Sequence, residues 1–595
     1  MKKFFSVFIK FVLTLSCIIP QVSWPVHAKE SGAEIDNNYV QTVDFSSFNK
    51  QINEDDELYQ MLKKGLLNAN KYALTTWFNE KKNLDEDTGK YYDLYKASEN
   101  SGVNEYIYRF PATQAFGIAV SLQTGIYDED YIGVSKEKAK EIVLKLVTSI
   151  AYGHKSNGGH FKSWGDDWQA AHWAYYAGYT AWLYWDDLSL DDQTLIKNMM
   201  IHEANRFCNL NAVYWKTASG QELYAGDSKI EEDGWNAELL NLAAQMFPKH
   251  ENADLWQYRF IEYQLAAFSI PSMTTSNEII HGRAVKDWVY GYNVNENGTV
   301  INHGIVHPTY NAASTGVNTS LVNSLVHEKL PLAAKYNLDR LYEGLTKVDF
   351  KVEDGYKQPG GTIYRDGSYE IYCPQGNDWG GEIYDVYVNI DVSAYVYGYG
   401  DNSYNWAKLH LQKVLDQQAR HEDGHTYKNS AENSYAGGEE AISMRLGCAF
   451  MTYWLAQQET VEFDNYEVNY PASDLPDLGE NMQRIFASEG IYVRDGGNAD
   501  TNYYPSDTIE VKKDGTGYYR EGYLKYNLQD VNVLPEKAEI YVPVVGLGSN
   551  VESAKIKHVV ELIDDDSWSE DTITYSNRPE SSKKILLEFY PTQRV

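Results

Sequence analysis

From Asp55 to about residue 460, apolar residues recur at three- and four-residue spacing almost without interruption, and this periodicity constrains the fold more than any other feature. Leu58, Met61, Leu62, Leu66 and Leu67 mark one such stripe; Leu239, Leu240, Ala243 and Phe247 mark another. The spacing predicts about twelve helices, near 55–79, 108–125, 136–152, 167–186, 189–208, 234–247, 251–269, 317–328, 331–345, 384–399, 402–420 and 437–458. Turns carrying Gly, Asn or Asp join most of them. Antiparallel helices of this number make hairpins that close into an (α/α) toroid, expected over 55–460, rather than a bundle. No repeat of fixed period demands a solenoid. In such a ring, connecting loops can gather at one end and line a cleft.

Past about residue 460 the helical period stops, and a polar linker over 461–482 contains Pro471, Pro476 and Asp477. Short strand-like runs follow from Gln483, separated by Asp-Gly turns at Asp495-Gly496 and Asp514-Gly515. Four blocks stand out here: Tyr492 to Gly496, Ala499 to Tyr503, Arg520 to Tyr526, and Trp568 to Pro579 with Asn577-Arg578-Pro579 at its end. In type and order they resemble the DNRLRE-type carbohydrate-binding module, family 96. The resemblance implies an all-β, jelly-roll-like sandwich over 483–595 that binds sugar. Members usually continue for several strands past the Asn-Arg-Pro block, so either an incomplete sandwich or an open sheet edge is expected.

The start of the chain has the pattern of an export signal. Lys2 and Lys3 precede an apolar run from Phe4 to Ile19, and Val26-His27-Ala28 suits cleavage, so 1–28 reads as a signal and 29–54 as a linker. A secreted protein, extracellular or wall-associated, is the expectation. Beyond the signal, no stretch supplies the roughly 18 uninterrupted apolar residues that cross a bilayer. Cys208, Cys373 and Cys448 are widely spaced and form no C-x-x-C pair, so neither a disulfide framework nor a cysteine metal site is expected.

A formal charge of −32 opposes nucleic acid as a partner, and an acidic polysaccharide would need its own positive pocket. Aromatic residues make up 14% of the chain, with 49 tyrosines and 15 tryptophans; their faces and polar tips suit sugar rings, and serve equally well as core. A monomer acting on a polysaccharide, probed by its own aromatic groove, is the reading that follows.

The chemistry concentrates in Asn297 to Tyr310, NGTVINHGIVHPTY, which puts His303, His307 and Tyr310 on one loop. Two imidazoles and a phenol can take a proton from carbon and return one to a leaving oxygen. Asn236 shares a helical stripe with Leu239, Leu240 and Ala243, so its amide must find a partner inside the ring. Four polar loops ahead of helices supply further lining candidates: Trp164, Asp167 and Trp168; Glu231 and Glu232; Asp378 and Trp379; and Glu439. No His and carboxylate spacing matches a metal-ligand set, so no metal and no cofactor is expected.

An Asn on an inner helix, then G-T-V-I-N-H and a Tyr shortly after, resembles the helical-toroid polysaccharide lyases of the hyaluronate, chondroitin and xanthan lyase kind. The resemblance implies β-elimination on a uronate. Asn236, with a cation such as Arg283 or Lys286, would hold the carboxylate; His303 or Tyr310 would take the C5 proton, and Tyr310 would protonate the leaving oxygen. Two alternatives stay open. An inverting glycoside hydrolase would draw its acid and base from Asp166, Asp167, Glu231, Glu232, Asp378 and Glu439. A cell-surface glycan-binding protein would need none of them.

Overall fold

Each of the twelve segments read as helical contains a helix in the computed structural model, which describes residues 5–10, 35–81, 84, 89–208, 210–312, 316–435, 437–468, 487–504, 506, 509–513, 517–526 and 558–589. In order they are α1 (Glu57–Lys71), α2 (Phe110–Gln123), α3 (Lys136–Gly153), α4 (Ala170–Trp182), α5 (Leu190–Arg206), α6 (Ile230–Met246) and α7 (Ala253–Ala267). Then come two short helices, α8 (Pro308–Ala312) and α9 (Leu321–Leu325), and α10 (Leu338–Thr346), α11 (Asp385–Tyr397), α12 (Ser403–Gln418) and α13 (Gly438–Gln457). Local chemistry explains several starts. Asp56, Ser135 and Ser189 each accept the backbone N–H three residues on, closing the first turn of α1, α3 and α5.

The start of α6 departs from its sequence reading. The helix begins four residues before Gly234, because Glu231, Glu232 and Asp233 occupy a first turn whose partial positive charge favours acids. Glu231 is therefore held on a helix and not on a loop.

The chain divides into two compact units, residues 26–471 and residues 1–25 with 472–595. In the first unit, helices alternate between two rings. Inner α2 packs on α13 and α4, α4 on α6, α6 on α9, and α9 and α11 return to α13. Outer α3 covers α2 and α4, α5 covers α4 and α6, α7 covers α6, and α12 covers α11. Every residue of α4 is buried, as befits a helix with neighbours on all sides, whereas α3 and α5 keep one solvated face.

Residues 35–54, read as linker, lie against this unit in their described part. Gln41 N–H donates to the Met246 carbonyl, Phe48 packs on Trp454 with ring centres 5.1 Å apart, and the Phe48 ring stacks on His327. Two phenylalanines give the segment apolar anchors that a free linker lacks. Asp391, fully buried on α11, pins the outer helices. It accepts hydrogen bonds from Tyr342 on α10 (2.8 Å), from Tyr364 (2.9 Å) and from His410 on α12 (2.7 Å).

The second unit is β-rich. Strands β1 (Phe5–Lys10), β2 (Ala487–Arg494), β3 (Arg520–Tyr526), β4 (His558–Ile563) and β5 (Ile585–Phe589) form one antiparallel sheet in the order β2-β3-β1-β4-β5. Its core joins Ile491, Val493, Tyr523, Ile563, Trp568 and Ile573, so three of the blocks singled out in the sequence supply packing. The Asp514-Gly515 turn, most of the linker with Pro471, Pro476 and Asp477, and the cleavage segment Val26 to Ala28 lie outside the described residues. Of the segment read as an export signal, only Phe5–Lys10 is described, and it pairs with β3 and β4. Cys208, Cys373 and Cys448 are free.

Removing the Asp391 carboxylate strands one imidazole and two phenols in the interior. Asp391→Ala is expected to lower the unfolding free energy by about 3–5 kcal/mol in denaturant titration; a loss below about 1 kcal/mol would show that the cluster does not pin the ring.

Candidate active site

A two-residue turn sets the site's geometry. Ile301–Asn302 pairs with Ile305–Val306, and His303 and Gly304 between them both take positive φ (51° and 76°), the turn that matches strand twist. The tip is packed closely. Gly304 N–H donates to the Gly226 carbonyl at 2.9 Å, and a Cβ on Gly226 would stand 2.7 Å from the Gly304 Cα. His303 is thus projected from the tip, and α8 follows at once with His307 before it and Tyr310 inside it.

The two imidazoles and the phenol of this loop come together. His303 Nδ1 lies 2.7 Å from Asp378 Oδ2, His307 Nε2 lies 3.0 Å from Asp378 Oδ1, and His303 Nε2 lies 3.4 Å from the Tyr310 hydroxyl. Asp378 sits in a braced loop: Asn377 donates to Thr309 Oγ1 at 2.6 Å, and the Ser434 hydroxyl donates to the Asp378 carbonyl at 2.9 Å. Trp379 packs on Tyr310 and Tyr435, with ring centres 4.4 and 5.1 Å away.

On the other side of Tyr310 stands Glu231, which the phenol hydrogen-bonds. Behind it is Arg109, buried just ahead of α2. Arg109 donates to Glu105 Oε1 at 2.7 Å, to Gln169 Oε1 at 3.3 Å and to the Tyr435 hydroxyl, and its guanidinium faces Trp235. Tyr435 in turn donates to Glu105 at 3.0 Å. Sequence reading missed Arg109 and Glu105, because EYIYRF reads as helix core, whereas Trp235 and Tyr435 fall within stretches read as cleft lining without being singled out; Arg109 at an otherwise apolar helix position was the available signal.

The environments of the two nearest carboxyls push them apart. Burial drives the Glu231 carboxyl up to about 8; Arg109 pulls the other way, and Asp227 adds to the rise. Burial also resists ionisation of Asp378, but the hydrogen bonds from His303 and His307 outweigh it and hold that carboxyl below its ordinary range. His307, fully buried, is depressed by burial to about 4 and stays neutral. Burial first, then the Glu231 charge, raises the Tyr310 phenol far above its usual range.

The remaining candidates separate clearly. Trp168 is 57% exposed and packs on Trp235 at 5.3 Å. Trp164 is core, against Tyr108, with its indole N–H on the Ile150 carbonyl. Asp167 caps its own loop through Gly165 N–H and Asn104, and Asp166 is held by His202 and Lys155. Glu232 faces Lys229 at 4.0 Å. Glu439 clamps a loop by accepting the Thr426 and Tyr427 N–H groups. Asn236 is buried on α6 with its Oδ1 unpaired among the described residues, and no bond joins it to His303 or Tyr310. Arg283 does not reach the cluster: its guanidinium donates to the Tyr258 hydroxyl at 2.6 Å and lies over Trp288.

Two groups of side chains have the composition of a metal site, His303, His307 and Asp378, and His154, His202 and Glu203. In each, one imidazole is already committed. His307 Nδ1 accepts the Tyr310 N–H and His154 Nδ1 accepts the Ser156 N–H, so the network puts each ring's proton on Nε2, where it donates to a carboxylate. Both groups are therefore satisfied as carboxylate–imidazole pairs.

Residues 481–594 match the family model of carbohydrate-binding module family 96, so the C-terminal resemblance holds. No curated protein matches the chain. Among solved structures, the chain is similar to the GH76A α-1,6-mannanase of Salegentibacter sp. HEL1_6, with 11% identity and a TM-score of 0.36 over 67% of this chain and 99% of that one. An inactive variant of the same mannanase bound to α-1,6-mannotetrose shares 12% identity, with a TM-score of 0.35 over 68% of this chain and 98% of that one.

The expected resemblance to polysaccharide lyases is not confirmed, and the β-elimination reading is overturned. The physical reason is the charge at the centre. A uronate needs an unengaged cation. Arg283 is elsewhere, Arg109 is engaged by Glu105, and Glu231, Asp227 and Asp378 would repel an incoming carboxylate.

The two tryptophans four residues apart give a direct check. Trp168→Ala is expected to weaken polysaccharide binding by about 0.5–1.5 kcal/mol while leaving the unfolding midpoint in place. Trp164→Ala is expected to cost about 3–5 kcal/mol of stability. Equal effects on melting would contradict the assignment of one to the cleft and the other to the core.

Proposed function

We propose that the helical unit is a glycoside hydrolase acting on a neutral polysaccharide, with Glu231 as general acid and Asp378 as general base. The observation that carries this reading is the divergence of the two carboxyls: one keeps its proton at neutral pH because it is desolvated, the other stays ionised because two imidazoles donate to it. Glu231 gives its proton to the glycosidic oxygen as the bond to the anomeric carbon breaks and its electron pair passes to that oxygen. Asp378 takes a proton from the water that attacks the opposite face. Tyr310 and His303 link the two carboxyls in a chain of contacts, and an inverting pair requires them to stand roughly 6.5–9.5 Å apart. Tyr310 and Trp379 wall the reacting ring, and Trp168 extends the platform.

The family 96 module would hold the enzyme on its glycan, raising the local concentration of scissile bonds. The abundance of aromatic residues and the predicted signal fit an extracellular protein that works on such material, without a bound cofactor and as a monomer.

Incubation with a panel of neutral and uronate polysaccharides should yield new reducing ends on a neutral member and no unsaturated, ultraviolet-absorbing product. Unsaturated product, or no product from any neutral glycan, would defeat the reading. Activity requires Glu231 protonated and Asp378 ionised, so it should fall as pH rises through about 8 and fall again at acid pH. Glu231→Gln should lower kcat by about 10²–10⁴-fold and remove the alkaline limb from what remains. An unchanged alkaline limb would assign it to another group.

A further inference from the structure

An inverting displacement leaves its two carboxyls in the wrong states. Glu231 has given its proton to the leaving oxygen and Asp378 has taken one from water, so the next cut must wait until the acid regains a proton and the base loses one. For Asp378 this is simple, since its side chain is 54% exposed. For Glu231 it is not: a glycan that stays in the cleft lies over the acid it has just discharged and shuts out water when the proton is needed.

The contacts behind the site supply another way in. Glu231 is hydrogen-bonded to the Tyr310 hydroxyl, that hydroxyl stands 3.4 Å from His303 Nε2, and His303 Nδ1 stands 2.7 Å from Asp378 Oδ2. The links are held from outside the chain of contacts. The Tyr310 ring packs on Trp379, 4.4 Å away, and its backbone N–H donates to His307 Nδ1 at 3.3 Å; His303 rides on a turn whose tip is tied to the Gly226 carbonyl. His303 combines two properties that a proton path needs. Its side chain is 40% exposed, so it meets solvent, and its Nδ1 is committed to Asp378, so an added proton enters at Nε2, the nitrogen that faces the phenol. An ionised Asp378 beside the ring favours the imidazolium.

The protons can be followed one by one. At rest every donor points the same way: Glu231 O–H to the Tyr310 oxygen, Tyr310 O–H to His303 Nε2, and His303 Nδ1–H to the Asp378 carboxylate. After a cut, the Tyr310 O–H turns to the Glu231 carboxylate, Asp378 returns its proton to water, and the freed His303 Nε2 takes one from water. The imidazolium then gives that proton to the phenol oxygen as the phenol gives its own to Glu231. One N–H and one O–H bond break and two O–H bonds form, with no phenolate between, since burial of Tyr310 disfavours one. The starting order is restored with no net change in charge.

We infer that His303 and Tyr310 form a proton-return path that recharges Glu231 between cuts. The inference rests on the hydrolase reading and adds the means by which its acid is renewed.

Rapid-quench counting of new reducing ends per enzyme, with the full-length protein on the neutral polysaccharide it hydrolyses, separates the two. The first turnover draws on a proton already in place, and later ones need the path. Tyr310→Phe keeps the ring and cuts the path; it is expected to make about one cut per enzyme and then slow by about 10-fold or more, with imidazole in the buffer restoring the later cuts. His303→Gln, whose amide still donates to Asp378 but carries no added proton, should behave in the same way. First and later turnovers slowed equally, or later cuts that imidazole does not restore in either variant, would overturn the path and leave the hydrolase standing. No hydrolysis of any neutral glycan by the unaltered protein would remove both.

Discussion

A single buried guanidinium organises the end of the helix ring that bears the site. Arg109 stands at the head of α2, yet its partners come from far along the chain: Gln169 from the loop before α4, and Tyr435 from the loop before α13. A desolvated cation is stable only if it is fully paired, and Glu105 one turn earlier completes the set. The first and last inner helices are thereby joined by charge as well as by packing. The same arrangement fixes the chemistry, because one arginine already spent on Glu105 cannot also ionise the half-buried Glu231. Closure of the ring and retention of the acid's proton are two results of one pairing.

The second carboxyl is prepared in the opposite way. Asp378 is half-exposed, and its low proton affinity depends on two imidazoles presented by a strand turn and the helix after it. His303 can reach it because a two-residue turn with positive φ at both positions carries the ring past the sheet edge, and Gly226 lets the neighbouring loop approach the turn's backbone. Such contacts hold the base in a fixed orientation without burying it, so water can still arrive.

Much of the helical unit could be read from spacing alone, since outer helices must alternate faces and inner ones must be apolar all round. His303, His307 and Tyr310 could be found because they are neighbours in the chain. What could not be read were meetings across hundreds of residues. Arg109 lies 326 positions from Tyr435, and its own surroundings, Tyr106 to Phe110, have the look of core. The elimination reading chose its cation from the same stretch of chain as the histidines, and Arg283 proved to serve Tyr258 and Trp288 instead. Trp164 and Trp168 show the same limit at short range: the positive φ of Gly165 and Asp166 between them sends one ring inward and leaves the other in solvent. In the C-terminal unit the blocks of residues were informative because they are local, whereas the order of the strands is not contained in any of them.

The account depends most on a carboxyl at residue 231 that is still protonated at neutral pH. Carboxyl carbon NMR of protein labelled in glutamate side chains, titrated for the wild type and Glu231→Gln, measures this directly. It predicts one resonance with a midpoint near 8 that is absent from the variant. If the resonance lost on substitution titrates in the ordinary carboxylate range near 4, the site has no neutral acid at this position and the account is contradicted.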